Sequence, residues 1–257
     1  MEVYREEFLA DFRFVEYEPF GLERPSYALI AVPDAGLVGV IGAGHIIKAL
    51  NLREVGGIDS YTYLPPIAVV SKGALRPPIR VFTSENIILI YSEFMPSAPA
   101  LPQFAAALIN YIERKGAEYL LLMSGIPIPN RFDVERLRTY YLVTGPKAEE
   151  LVKGVDVAPF EHGYLAGPYA LLLKEAVRRR LNAVMLLTES FLEFPDPEAS
   201  ARNVEVFGRI TGKAIDVKEL IEQAEVIRIK ARDAMKNVVH NLAQMRKEYE
   251  YAPPLQI

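Results

Sequence analysis

Tyr27-Ala28-Leu29-Ile30-Ala31-Val32-Pro33-Asp34-Ala35-Gly36-Leu37-Val38-Gly39 is the stretch on which the fold turns. Its first six residues form a short apolar run of the kind that makes a strand buried on both faces, and Pro33-Asp34-Ala35-Gly36 stops it. The spacing then predicts a helix over Leu37–Leu50. Gly57–Leu64, Ile67–Lys72, Ile79–Thr83 and Ile87–Ser92 follow as β-branched or alternating runs. Pro65-Pro66, Gly73, Pro77-Pro78 and Ser84-Glu85-Asn86 separate them, residues that fix φ or bond to local backbone, so an antiparallel or mixed part of the sheet is expected. Phe104, Leu108, Tyr111 and Ile112 then recur at helical spacing up to Lys115-Gly116, and Tyr119–Met123 is another buried strand. A helix over Pro168–Arg180 and a strand over Ala183–Thr188 repeat the pattern. This alternation predicts an α/β protein with a single mostly parallel or mixed sheet flanked by helices and right-handed crossovers.

From Asp216, a candidate N-cap, to about Glu248 the chain reads as one helix, because no Gly or Pro intervenes before Pro253. Val217, Leu220, Ala224, Ile227, Ala231 and Ala234 lead an apolar stripe in steps of three and four. Such a helix would be about 48 Å long, wider than a domain of this size. Part of it is therefore expected on a neighbouring subunit, the alternative being a helix bent across its own sheet. The organisation expected is an α/β core over 1–215, a long helix over 216–248 and an extended tail over 249–257.

The 257 residues are 51% hydrophobic and 24% charged, enough to bury a sizeable core. A net charge of −4 offers no general attraction to phosphate backbones, so nucleic acid is not an expected partner. The absence of cysteine excludes disulfides, thiolate metal sites and cysteine nucleophiles, and suits a reducing cytoplasm or a hot habitat. Met1-Glu2-Val3-Tyr4-Arg5-Glu6-Glu7 lacks the apolar core of a signal peptide, and no apolar stretch reaches membrane-spanning length. A cytoplasmic protein without membrane contact is expected.

Several enzyme signatures are imitated and fail. Gly208-Arg209-Ile210-Thr211-Gly212-Lys213-Ala214 has one residue too few for a phosphate-binding loop and Ala214 where a hydroxyl should hold magnesium, so it is expected to connect two helices. Gly42-Ala43-Gly44-His45 falls inside a predicted helix and lacks the third glycine of a dinucleotide fingerprint; its small residues predict close helix–strand packing. Ser124-Gly125 is a fragment of a nucleophile elbow. His45, His162 and His240 lack companions at metal-ligand spacing, and Arg178-Arg179-Arg180 reads as a helix end that complements the dipole. No metal, cofactor or catalytic set is expected.

Asp34, Glu93 and Glu189 each follow a predicted buried strand, and in an open α/β sheet ligands settle outside the carboxyl ends of parallel strands. Parallel strands would place these acids on one rim, where Gly36 and Gly39 leave backbone accessible and Leu37 N–H can meet an anion. That is one reading, a small-molecule site. In the other, Asp34 caps the helix and the glutamates bond to loop amides, the more common use of such acids.

Val32-Pro33-Asp34-Ala35-Gly36-Leu37-Val38-Gly39 resembles the opening motif of the archaeal proteasome assembly chaperone family, relatives of the eukaryotic proteasome assembly chaperones. Glu54-Val55-Gly56-Gly57-Ile58-Asp59-Ser60, Leu64-Pro65-Pro66, Arg76-Pro77-Pro78-Ile79-Arg80-Val81, Ser124-Gly125-Ile126-Pro127, Gly163-Tyr164-Leu165-Ala166-Gly167-Pro168 and Thr188-Glu189-Ser190 leading to Pro195-Asp196-Pro197-Glu198-Ala199 follow in the family's order. The resemblance covers residues 10 to 245 and implies a nucleoside-phosphorylase-like fold used, without that chemistry, as an oligomeric protein-binding scaffold. It also implies engagement of 20S proteasome α subunits, in some members through a C-terminal tail of a hydrophobic residue, tyrosine and any residue. Here the tail is Leu255-Gln256-Ile257, with Gln256 in the tyrosine position. Pro253-Pro254 would hold this end extended, and Ile257 would offer both a side chain and a carboxylate to a pocket.

The expected function is a homo-oligomeric chaperone or adaptor for proteasome α subunits or a related partner protein. The alternative is a phosphorylase-like enzyme or small-molecule sensor built on the carboxylate rim.

Overall fold

The computed structural model describes residues 2–71 and 73–226. Strands β1 (Arg5–Leu9) and β2 (Phe12–Glu16) form a hairpin, and β3 (Tyr27–Ala31) leads through a tight turn at Ala35–Leu37 into α1 (Val38–Ala49). There follow β4 (Arg53–Asp59), the short hairpin β5 (Val69–Ser71) and β6 (Ala74–Arg76), β7 (Ile79–Thr83), β8 (Ile87–Ser92), α2 (Leu101–Arg114) and β9 (Tyr119–Pro127). The chain continues through β10 (Thr139–Thr144), α3 (Pro146–Val152), β11 (Ala158–Pro159), α4 (Pro168–Arg179), β12 (Asn182–Ser190) and α5 (Pro197–Thr211), and is helical again over 218–226.

Ten strands form one sheet in the order β1-β2-β4-β7-β8-β3-β9-β12-β10-β11. The central four, β8, β3, β9 and β12, are parallel. On one side β7, β4, β2 and β1 continue the sheet antiparallel, and on the other β12 pairs antiparallel with β10. The sheet is mixed, as expected from the turn-rich stretch between the two halves. Every residue of β3 and β8 is buried, which is why these strands read as unbroken apolar runs instead of alternating ones.

Side chains two apart share a face, and β3 shows the consequence. Ala28 and Ile30 join the core under α2 and α4, with Phe104, Leu108, Tyr111 and Leu172. Tyr27, Leu29 and Ala31 join the core under α1 and α5, with Ala43, Ile46, Val204 and Phe207. Each fully buried Leu, Ile or Phe contributes about 1.5–3 kcal/mol, so the two layers clamp the central strands from both sides.

The small residues of α1 set how closely it lies on the sheet. A Cβ on Gly39 would collide with the Met123 carbonyl oxygen and come within 2.5 Å of the Tyr169 hydroxyl. One on Gly42 would meet Met123 Cε and Val204 Cγ2, each at 3.2 Å. Gly42 thus serves the close packing expected of it, whereas Gly39, expected to leave backbone accessible at a ligand rim, is instead closed against the Met123 carbonyl and the Tyr169 hydroxyl.

Several boundaries differ from expectation. The helix predicted from Leu37 starts at Val38, because Gly36 and Leu37 take left-handed conformations (φ 62° and 50°) in a turn closed by Leu37 N–H and the Asp34 carbonyl. The strand predicted over Gly57–Leu64 lies at Arg53–Asp59, where pairing with β2 and β7 prevails over local pattern. Strands β9 and β12 run past Met123 and Thr188 because they pair with each other as far as Pro127 and Ser190. The β1–β2 hairpin was not expected; its alternation is masked by charges that pair across it, such as Arg13 with Glu6. Gly208–Thr211, expected in a helix–helix connection, instead form the last turn of α5, which Gly212 ends in a left-handed cap (φ 68°). Asp216 accepts the Lys218 N–H at 2.9 Å, the capping role assigned to it. Residues 227–248 of the predicted long helix and the 249–257 tail lie outside the described residues.

Replacing Gly39 by alanine should push α1 off β9 and lower stability by about 1–3 kcal/mol. Urea unfolding monitored by circular dichroism checks this, and an unchanged midpoint would refute the close-packing role.

Candidate functional site: the carboxyl edge of the parallel strands

Because β8, β3, β9 and β12 are parallel, their carboxyl ends, and with them Asp34, Glu93 and Glu189, lie along one edge of the sheet. Each acid is engaged by a different neighbour. Asp34 occupies the N-cap position of its turn, yet its carboxylate accepts the Ser124 hydroxyl and no turn amide. Glu93 accepts from Tyr91 Oη at 3.3 Å and Arg80 Nη2 at 3.4 Å. Glu189 accepts the Arg138 N–H at 3.0 Å and Tyr140 Oη at 3.5 Å. Burial and the Glu93 carboxylate push the Tyr91 phenol up to about 12.

The turn amides are committed as well. Gly36 N–H donates to the Leu192 carbonyl at 3.4 Å and Leu37 N–H to the Asp34 carbonyl at 2.9 Å. The anion cradle expected at Leu37 is thus closed by the chain's own carbonyl. Gly36 is needed for another reason: besides its positive φ, a Cβ there would meet the Phe191 carbonyl oxygen at 3.1 Å.

Asp196, in the Pro195–Ala199 motif, organises this edge. Its carboxylate accepts Arg131 Nε at 2.7 Å, Arg131 Nη2 at 2.9 Å, Phe191 N–H at 3.2 Å and Ala199 N–H at 3.0 Å. Its own N–H donates to the Gly36 carbonyl at 2.8 Å, and its carbonyl accepts the Ser200 hydroxyl at 2.8 Å. One residue thereby ties the turn after β3, the loop after β9, the loop after β12 and the start of α5. Arg131 is 2% exposed, and burial works against its charge, but Asp196 and Glu198 outweigh that and hold the guanidinium above its ordinary pKa.

Two further buried groups close the edge. Tyr169, the second residue of α4, accepts the Val32 N–H and donates to the Val32 carbonyl, both at 3.2 Å, and burial holds its phenol well above the usual range. Thr139, Thr188 and Asn203 form a hydrogen-bonded chain of 2.8 and 2.7 Å that ends where Asn203 Nδ2 donates to the Ser124 carbonyl at 3.1 Å. Arg131, Tyr169, Asp196 and Asn203 escaped the sequence reading. Asp-Pro ahead of a helical pattern, Asp196-Pro197, was the one available signal of a cap.

Other candidates fall elsewhere. His45 Nε2 lies 2.6 Å from the Asp216 carbonyl, His162 is exposed and His240 is outside the described residues. Among the described residues no cluster of His, Cys, Asp or Glu is arranged to hold a metal ion, and no helix is long and apolar enough to cross a membrane. A cavity of about 720 Å³ opens at the opposite edge of the sheet near Arg53, Glu85 and Lys213, and one of about 690 Å³ between β10 and α4 near Phe160 and Val177.

What the carboxyl edge presents is a braced platform whose acids and amides are largely turned to internal bonds. A mixed α/β sheet covered on both faces, with its loops locked at one edge, is the class of scaffold these features define. Residues 28–235 match the PAC2 family, and the chain belongs to that family. The structure superposes on PbaA of Pyrococcus furiosus, described as an archaeal homolog of proteasome-assembly chaperone, with a TM-score of 0.76 and 26% identity, covering 93% of this chain and 99% of that one. PbaB of the same organism, described as an archaeal proteasome activator, shares the fold at 18% identity and a TM-score of 0.73 over 89% of this chain and 98% of its own. The uncharacterized protein MJ0106 of Methanocaldococcus jannaschii is 26% identical over 239 residues, 92% of this chain and 96% of its length. The family resemblance drawn from ordered motifs thus stands, and four of those motifs, Val32–Gly39, Ser124–Pro127, Thr188–Ser190 and Pro195–Ala199, meet at this one edge.

Substituting Asp196 by alanine leaves the buried Arg131 with Glu198 alone as its ionic partner and should lower stability by about 3–5 kcal/mol, whereas Asp34→Ala removes one hydroxyl partner and should lower it by about 1 kcal/mol; chemical denaturation of the two variants distinguishes the roles. At alkaline pH the Tyr91 phenol stays protonated in the fold up to about 12, while in the unfolded chain it ionises near 10. The stability it contributes is therefore whole below about pH 10 and declines as pH rises through that window. Ultraviolet titration of phenolate against unfolding should show Tyr91→Phe reducing this alkaline loss.

Proposed function

We propose that this PAC2 protein is a homo-oligomeric binding protein of the proteasome-assembly-chaperone kind, a chaperone or adaptor for 20S proteasome α subunits or a related partner, and not an enzyme. The observation that carries this is the end-to-end similarity to PbaA in both sequence and fold. The character of the carboxyl edge supports it. The phosphorylase-like alternative needs acids and amides that face a ligand, whereas Glu93 and Glu189 are bonded within the protein and the amides of Gly36 and Leu37 are taken.

Partner contact in this reading draws on two parts of the chain, the platform and the tail Leu255-Gln256-Ile257. With Gln256 where a tyrosine would supply a large amphipathic anchor, the tail contributes mainly the Ile257 side chain. Self-association is ascribed to the apolar stripe after Asp216.

Light scattering coupled to size exclusion should give a particle of more than one chain that falls towards monomer when the residues after Asp216 are deleted. Immobilised archaeal proteasome α subunits should retain the wild-type protein. Removal of Leu255–Ile257 should weaken retention if the tail docks, and retention that survives it moves the contact to the body of the protein. A strictly monomeric particle that α subunits do not retain would refute the proposal.

A further inference from the structure

The loop from Phe191 to Asp196, at the end of β12, joins three properties that rarely coincide. It is braced: its Leu192 carbonyl accepts Gly36 N–H, its Phe191 N–H is held by Asp196, and the Phe191 ring packs under the Arg131 guanidinium (5.0 Å to the ring centre) and against Phe132 (4.6 Å between ring centres). It nevertheless exposes large apolar side chains, Leu192 at 65% and Phe194 at 54%, beside Leu37 at 38%. Leu37 sits in the left-handed region at φ 50°, a strained conformation for a leucine, held by the turn that Gly36 bonds to this loop. Finally, the exposed acids Glu193, between the two apolar residues, and Asp133, next to Phe132, have no ion-pair partner among the described residues.

A mobile loop that shows a leucine to solvent needs no explanation, since single exposed apolar residues are common on protein surfaces. Three on braced backbone are different: anchors already fixed in place lose little freedom on binding, and apolar anchors ringed by charge are the usual make-up of a binding hot spot. The unpaired carboxylates select the occupant, because they attract a basic segment and repel an acidic one. From this geometry we infer that the Leu37–Leu192–Phe194 corner docks an extended protein segment whose apolar residue is flanked by lysine or arginine. The inference rests on the chain being a protein-binding scaffold, and it adds the surface and the chemistry of the partner.

The test uses the full chain, immobilised, and a phage-displayed library of random peptides. Enriched peptides should carry Leu, Ile, Phe or Met next to Lys or Arg. A synthetic peptide of the enriched sequence should bind about tenfold more weakly to the Leu192→Ser/Phe194→Ser variant, and more weakly to wild type as salt is raised. Where the double variant fails to melt like wild type, Glu193→Lys/Asp133→Lys, which keeps both apolar side chains, should reduce binding to the same peptide. No enrichment, enriched peptides without basic residues, or equal binding to the variants would overturn the inference. So would a change in particle mass on Leu192→Ser/Phe194→Ser, since the corner would then be a contact between copies of this chain. Proteasome subunits take no part in this experiment, so its failure is separate from failure of α-subunit capture.

Discussion

The pairing of Asp196 with Arg131 is the constraint on which the carboxyl edge of the sheet depends. A carboxylate 1% exposed and a guanidinium 2% exposed are tolerable only with nearly every hydrogen-bonding group matched, and the matching draws in the backbone of two loops and one helix. Loops at the end of a parallel sheet ordinarily have the freedom to close on a ligand. Here the bonds that would be made to a ligand are made to one another, and the edge becomes a fixed surface.

The same economy of space governs the contact of α1 with the sheet. Gly39 and Gly42 let the helix approach until the Met123 carbonyl and the Tyr169 hydroxyl fill the gap, and Tyr169 in turn binds both polar groups of Val32, where β3 has left the ladder. The glycine-rich turn that looks like a phosphate cradle thus has a packing role. Its left-handed residues turn the chain sharply enough for Gly36 to bond both Leu192 and Asp196, so the turn and the platform are one construction. The chain belongs to the PAC2 family and superposes on PbaA, and a fold alone does not decide what such an edge does.

Much of the architecture was legible in the sequence, and the exceptions follow a rule. β3, β8 and α2 could be read because each carries its signal in consecutive residues: an unbroken apolar run, or apolar positions at helical spacing with a Gly stop. The β1–β2 hairpin could not, since its alternation is hidden by charges that pair only once Arg13, opposite Phe8, reaches diagonally to Glu6. Nothing local predicts a left-handed leucine at Leu37; the turn's bonds to the loop after β12 impose it. At the site, parallel strands set Asp34, Glu93 and Glu189 on one edge, but what each carboxylate touches depended on side chains from other elements.

By itself, then, the order of residues determined the α/β class, the positions of the central strands and the family, because periodicity and ordered motifs are properties of the chain alone. The tertiary structure decided the sheet order, the mixture of parallel and antiparallel pairing, and the identity of the residues that matter at the edge. Arg131 and Asp196 are 65 positions apart, and Asp34 and Ser124 are 90 apart. No local pattern specifies such partners, because a buried polar group takes its hydrogen bonds from whichever element the packing brings beside it. For the same reason the exposure of Leu192 and Phe194 became visible only when the loop that carries them was seen to be held from beneath.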